Sequence, residues 1–291
     1  MEKQKDDILM KERSSRACIS AGYRLYTGNF KRIFRYSWVA ALIYAVACSI
    51  GGTFMVLRPQ ATLLAMIIVI IAEALFTAYG FAILKQHQQT GTINRPTKWF
   101  NLDTHIFVRT LKACLNQLVI YLLVGVFICG IGYVAIKYLS HYTGLACIGA
   151  ACLLVICLLL PLVYIVTRYI LTDGIGFWRQ LSVGYPVGMR HWGFIFVVVF
   201  IATLTVLAIS TFTALPASIL SLANVQAAKS MMMGDPNGMP SHVGWLAAAT
   251  YLLIGFIQAY VQLSLLFPVY YMYGSIDAQE QAKQDFNKNQ Q

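Results

Sequence analysis

The chain is short of charge. Only 11% of its 291 residues are Asp, Glu, Lys or Arg, where a soluble domain of this size carries about 25%. Acids are scarcest, 11 of them against 22 Lys and Arg. With 58% hydrophobic residues beside so few charges, a disordered chain and an ordinary soluble globule are both excluded. Site motifs are missing as well. The cysteines, Cys18, Cys48, Cys114, Cys129, Cys147, Cys152 and Cys157, contain no C-x2-C pair. Most lie in apolar runs, where a thiol packs as a small hydrophobe, so no disulfide framework is expected. There is no Walker loop, no G-x-G-x-x-G after a strand, no G-x-S-x-G and no H-E-x-x-H. His87, His105, His141, His191 and His242 are scattered with no pair at metal-ligand spacing. These absences leave no catalytic residue, cofactor or metal to assign, and the chain is not expected to be an enzyme.

What the chain has instead is long apolar runs. A helix of about 20 residues crosses a hydrocarbon core. Six runs reach that length, at about 37–57, 61–84, 118–136, 145–171, 192–222 and 243–273. Each must be helical, because lipid satisfies no free backbone amide. The expected fold is therefore all-α and polytopic, with residues 18–273 as one six-helix membrane domain. Residues 1–17 and 274–291 are polar and are expected to be a mobile lead and tail. The first run starts only near Ser37, so a cleavable signal peptide is not expected.

The positive charges then fall on one side. Only Arg58, Lys137 and Lys229 lie between runs on the far side, while the other nineteen flank the near side. The positive-inside rule places that near side, with both termini, in the cytoplasm. The excess of +11 is thus an orientation signal held against anionic headgroups, and a nucleic-acid partner is not expected.

Each odd-numbered run follows a short aromatic and basic stretch. Before the first, Ile19, Tyr23, Tyr26, Phe30 and Phe34 recur at helical spacing among Arg24, Lys31, Arg32 and Arg35. Before the third, Phe107, Leu111, Leu115 and Leu118 do so with Arg109 and Lys112 opposite. Before the fifth, Phe177, Leu181, Tyr185, Gly188 and Trp192 repeat it, interrupted by Pro186. Such stretches suit amphipathic helices in the cytoplasmic interface, or extensions of the membrane helices buried against neighbours. The even runs share Tyr79, Pro161 with Tyr164, and Pro268 with Tyr271 near their cytoplasmic ends. The layout is that of three units of lead helix plus membrane hairpin.

The segments GYRLYTGNFKRIFRYSW (22–38) and TDGIGFWRQLSVGYPVGMRHWGFIF (172–196) carry a resemblance. With Asp173, Trp178, Leu181, Ser182, Arg190 and Trp192 in place, the chain resembles bacterial six-helix membrane families grouped with the membrane domain of some glycerophosphodiester phosphodiesterases. The resemblance implies a bacterial inner-membrane protein and no chemistry, since the soluble phosphodiesterase domain is absent.

Several residues remain as candidate sites. Glu73 is the one acid inside a run, where an ionised carboxylate is expensive. It is expected either to couple an ion or proton in a transporter, or to stay protonated and bond an amide such as Gln258 or Gln262. Arg32, Arg35, Arg109, Lys112, Arg168, Arg179 and Arg190 are candidate contacts for anionic phospholipid. Met231, Met232, Met233, Met239 and His242 have soft donors suited to Cu(I), although a plain turn at Asp235–Gly238 accounts for them. Small residues Ala41, Ala45, Ala47, Gly51, Gly52, Ser210, Ala214 and Ser218 allow close helix packing. The expected function is organisation of lipids or a membrane-protein partner without catalysis, with transport through Glu73 as the alternative.

Overall fold

The computed structural model of the protein describes residues 9–57, 62–93, 104–138, 141–234 and 243–290. The methionine and histidine pattern at Met239 and His242, the turn at 235–238, and the basic residues Arg58, Arg95 and Lys98 lie outside the described residues. The helices are α1 (Ser15–Gly28), α2 (Phe30–Leu57), α3 (Thr62–Thr90), α4 (Thr104–Tyr138), α5 (His141–Leu159), α6 (Pro161–Leu171), α7 (Phe177–Arg190), α8 (Trp192–Met232) and α9 (Val243–Asn289). No strand occurs among the described residues. The chain is an all-α, multi-pass membrane protein: six stretches are long and apolar enough to cross, with α5 and α6 forming one of them.

The break between α5 and α6 has a definite cause. Pro161 has no N–H, so the carbonyl of Cys157, four residues back, loses its helical donor. The Trp192 indole N–H donates to that oxygen at 2.9 Å, and the Tyr185 hydroxyl donates to the carbonyl of Leu158 at 3.1 Å. One proline thereby ties the start of α8 and the middle of α7 to the end of α5. The Cα of Gly188 faces the Pro161 ring closely enough that a Cβ would stand 2.8 Å from it.

Lipid reverses the usual rule about where apolar side chains go. Along α4, α5 and α8 the mid-span residues Leu122, Val126, Leu153, Leu154, Leu207 and Phe212 are exposed on the protein's own surface. The dense core lies instead at the end of the bundle that carries both termini. There Phe267, Tyr270, Met272, Tyr273 and Ile276 of α9 are fully buried, with Ile33, Leu84, Tyr164 and Ile165 around them. α9 packs on α1, α2, α3, α6 and α8. It approaches α2 through small residues: a Cβ on Gly255 would lie 2.8 Å from Cys48 and 3.1 Å from Ala45.

This core corrects two expected boundaries. The tail does not begin free at Gly274, because α9 continues to Asn289 and Gly274, Ser275, Ile276 and Asp277 are buried in it. The lead is not free up to residue 17 either. Leu9 is 6% exposed against Gly274, and the Arg13 backbone N–H donates to the Ser275 hydroxyl at 2.9 Å. The physical reason is the uninterrupted stretch from Phe267 to Ile276, which has no charge and whose small Gly274 and Ser275 admit another chain segment closely.

The three lead stretches end differently. α1 and α7 are separate helices, while the second is simply the first turns of α4. Asn29 and His191 mark the two breaks in the same way. Each donates its N–H four residues back, to Leu25 and Val187, while its carbonyl accepts from Ile33 and Ile195. Gly22 and Gly184 are both buried, and Ile33 and Ile195 both fully so, which puts the two breaks in one register. Of the expected stripes, Tyr26, Phe177 and Gly188 are buried, Ile19, Tyr23, Leu181, Tyr185 and Trp192 half-buried, and Phe30 and Phe34 exposed, while Cys18, Gly22 and Gly184 carry the rest of the buried face. In α4 the expected stripe of Leu111, Leu115 and Leu118 faces outward, and Ile106, Arg109, Thr110 and Ala113 turn inward. α1 packs on α9 and α7 on α6, each lead helix against an even-numbered crossing, while Arg109 in the first turns of α4 reaches the end of α6.

Candidate functional site

Among the described residues, the buried Lys85, His87, Arg109, Thr110, Thr167 and Asp277 gather where α3, α4, α6 and α9 meet at the end carrying the termini. Asp277 accepts from the Tyr164 hydroxyl at 2.7 Å and lies 3.6 Å from the Arg168 guanidinium. Tyr273 bonds to the same carboxylate and to the Thr172 hydroxyl, the latter at 3.1 Å. His87 of α3 meets the Tyr270 hydroxyl at 3.1 Å. A buried charge is tolerated only when paired and hydrogen-bonded. These contacts clamp α6 and α3 to α9, although the buried Arg168 Nε, 3.6 Å from Asp277, has no hydrogen-bond partner among the described residues.

A second cluster closes the C-terminal end of α6. The carbonyls there have no helical partner. The guanidinium of Arg109 is 8% exposed as a residue and donates to the carbonyls of Tyr169, Thr172 and Ile175, the second at 2.7 Å. It also stacks 4.4 Å over the Tyr169 ring. Just beyond, Asp173 accepts two bonds from the Lys85 ammonium, at 2.8 and 2.9 Å. His105 stands 3.5 Å from the same carboxylate. The Lys85 hydrogen bond holds the Asp173 carboxyl below its ordinary range, although partial burial works the other way. The chain turns away at Gly174, whose φ of +91° suits glycine. A third cluster joins α9 to the α7–α8 break, where Glu280 meets Arg190 at 3.2 Å and His191 at 3.0 Å.

These contacts divide the seven basic residues expected to meet lipid. Arg109, Arg168 and Arg190 are taken up by carbonyls or carboxylates within the fold. Arg109 is the most enclosed of them, because the orphan carbonyls of α6 hold its guanidinium inside the bundle. Arg32, Arg35, Lys112 and Arg179 are exposed and make no ion pair among the described residues.

The intramembrane trio is also divided. Gln258 donates to the Ser210 hydroxyl of α8 at 2.6 Å. Gln262 bonds instead to Tyr44 of α2. Glu73 is exposed on α3 and makes no hydrogen bond or ion pair among the described residues. Its carboxyl lies within electrostatic reach of Tyr44 and Cys48 on α2 and Cys114 on α4. Glu73 and Gln262 therefore share Tyr44 as a neighbour, and neither amide pairs with Glu73. No group of three His, Cys, Asp or Glu suited to a metal occurs among the described residues.

Asp173, Asp277, Lys85 and Tyr273 were not among the candidate residues read from the sequence. Asp277 carried one visible signal, the first Asp, Glu, Lys or Arg after the long stretch 236–276. Compared with known protein families, curated proteins and solved structures, the chain matches none.

Proposed function

We propose that the protein is a non-enzymatic protein of the bacterial inner membrane that holds anionic phospholipids, and through them a membrane-protein partner, at the end of its bundle carrying the termini. One observation carries the reading. Basic side chains that the fold needs are turned inward, while Arg32, Arg35, Lys112 and Arg179 stand exposed at the same end without ion pairs among the described residues. The charge asymmetry of the loops supports placing that end in the cytoplasm, where the leaflet is anionic. Each basic side chain near such a surface contributes about 1 kcal/mol. The test is the heat-unfolding midpoint of the detergent-solubilised protein with added phosphatidylglycerol or phosphatidylcholine. The anionic lipid should raise the midpoint more, and replacing all four residues by Gln should erase the difference. Equal response of the native protein to both lipids would refute the proposal.

Transport of a small molecule or ion is the second reading, favoured by the exposed, unpaired position of Glu73 in the middle of its span. It is distinguished by proton flux into proteoliposomes that is lost in Glu73→Gln. Under the first reading Glu73→Gln leaves the lipid response intact.

A further inference from the structure

We infer that a recess between α4, α5, α6 and α7 seats an acyl chain of one anionic glycerophospholipid, with the lipid phosphate held by Lys112 and Arg179. This rests on the lipid-holding reading above and narrows it to one place. The recess has a volume of about 470 Å³, inside the roughly 300–1,000 Å³ of small-molecule sites. Ile120, Leu158, Leu159, Leu162 and Leu181 supply its apolar wall.

Its shape is built in. Pro161 breaks the α5–α6 crossing beside it, and the bonds from Tyr185 to the Leu158 carbonyl and from Trp192 to the Cys157 carbonyl hold the rim. The only other hydroxyl on the wall, Ser182, donates to the Arg179 carbonyl at 3.1 Å. The lining side chains are mostly apolar, which suits a hydrocarbon chain better than a polar solute. The neighbouring faces of α4 and α5 expose Leu118, Leu122, Leu154 and Leu158, so the recess is bordered by lipid-facing surface.

The charges stand where a headgroup would. Lys112, Asn116 and Ile120 follow one another at four-residue spacing along one face of α4. Arg179, Ser182 and Pro186 follow one face of α7. At 1.5 Å per residue Lys112 lies about 12 Å from Ile120 along α4, and Arg179 about 3–5 Å from Leu181 and Ser182 along α7, each toward the end carrying the termini. Both side chains are exposed and make no ion pair among the described residues. A phospholipid lying with its chain in the recess would meet both at its phosphate, and neither has another anion to hold.

The experiment counts phosphatidylglycerol bound to the intact, solubilised protein by native mass spectrometry, with phosphatidylcholine as the neutral comparison. Three variants are measured beside the native chain: Lys112→Gln with Arg179→Gln, Ile120→Phe to fill the recess, and Arg32→Gln with Arg35→Gln. The expected result is one tightly held phosphatidylglycerol per chain. Loss of the two charges should weaken it about 30-fold, from about fivefold per basic side chain. Filling the recess should displace it, and the Arg32 and Arg35 pair should keep it. Unchanged binding in the Lys112 and Arg179 variant overturns the site, even if Ile120→Phe fails to fold. Loss confined to the Arg32 and Arg35 variant overturns the site while leaving the broader lipid reading standing. No preference of the native chain for phosphatidylglycerol overturns both.

Discussion

Replacing Gly22 by Ala tests the docking of α1 on α9, because two effects of known sign oppose each other there. A Cβ on Gly22 would collide with the Pro268 nitrogen and stand 2.6 Å from its Cα and 2.7 Å from the Phe267 carbonyl carbon. Ordinary carbon contacts are about 3.5–4.0 Å. The atoms met are backbone and cannot rotate aside, so α1 must retreat by about 1 Å. Retreat loosens the packing of Cys18 and Tyr26 and the bond from the Tyr26 hydroxyl to the Tyr260 carbonyl, now 2.9 Å. Overpacking of this kind costs about 1–3 kcal/mol. Against it stands helix propensity, which favours Ala over Gly by about 1 kcal/mol inside a helix. The expected net is a loss of up to about 2 kcal/mol, and about 1–3 kcal/mol relative to a Gly→Ala change without the clash, read as a lower unfolding midpoint at fixed detergent and lipid. Gly28→Ala is the control on the same helix, since nothing lies within 4 Å of its Cβ position. It should be neutral or mildly stabilising. If Gly22→Ala tracks Gly28→Ala, α1 does not lie against Pro268 and the described core at that end is wrong.

Two further outcomes follow from the same contacts. Because the Asp173 carboxyl is held below its usual value by Lys85, its contribution is fully present above the ordinary carboxylate range near pH 3.9 and is lost as pH falls through the lowered folded value. Unfolding midpoints measured from pH 6 down to 3 should show that acid-side loss in the native chain and less of it in Lys85→Met; equal acid profiles would remove the pair from the account. Trp192→Phe should cost about 1 kcal/mol by stranding the Cys157 carbonyl, but should cost little in a Pro161→Ala background, where the backbone donor returns. A double-mutant cycle with no coupling would show that the indole does not serve that carbonyl.

The crossings were legible because the bilayer demands about 20 apolar residues of each, whatever they pack against. The stretch around Ala41–Ala45 also lies at a close helix approach, since Ala45 lies against Gly255. Roles of individual charges were not legible. Arg109 and Lys112 are three residues apart on one helix, yet one is buried on α6 carbonyls and the other faces outward. Only the tertiary position of an orphaned helix end decides between them. The buried tail was hidden for a similar reason: a segment such as Gly274–Asp277 looks like solvent-exposed chain until Leu9 and Tyr164 are brought onto it. The shared register of Asn29 and His191 rests on backbone bonds around two unlike residues, which composition and periodicity do not reveal.

The lipid-holding role depends most on which side of the membrane the end carrying the termini faces, since an anionic leaflet must meet Arg32, Arg35, Lys112 and Arg179. Paired fusions after Gln291, one to a fluorescent protein that matures only in the cytoplasm and one to an alkaline phosphatase active only outside it, measure this directly. The prediction is a fluorescent first fusion and an inactive second. An active phosphatase with a dark fluorescent partner would contradict the orientation and, with it, the lipid-holding role.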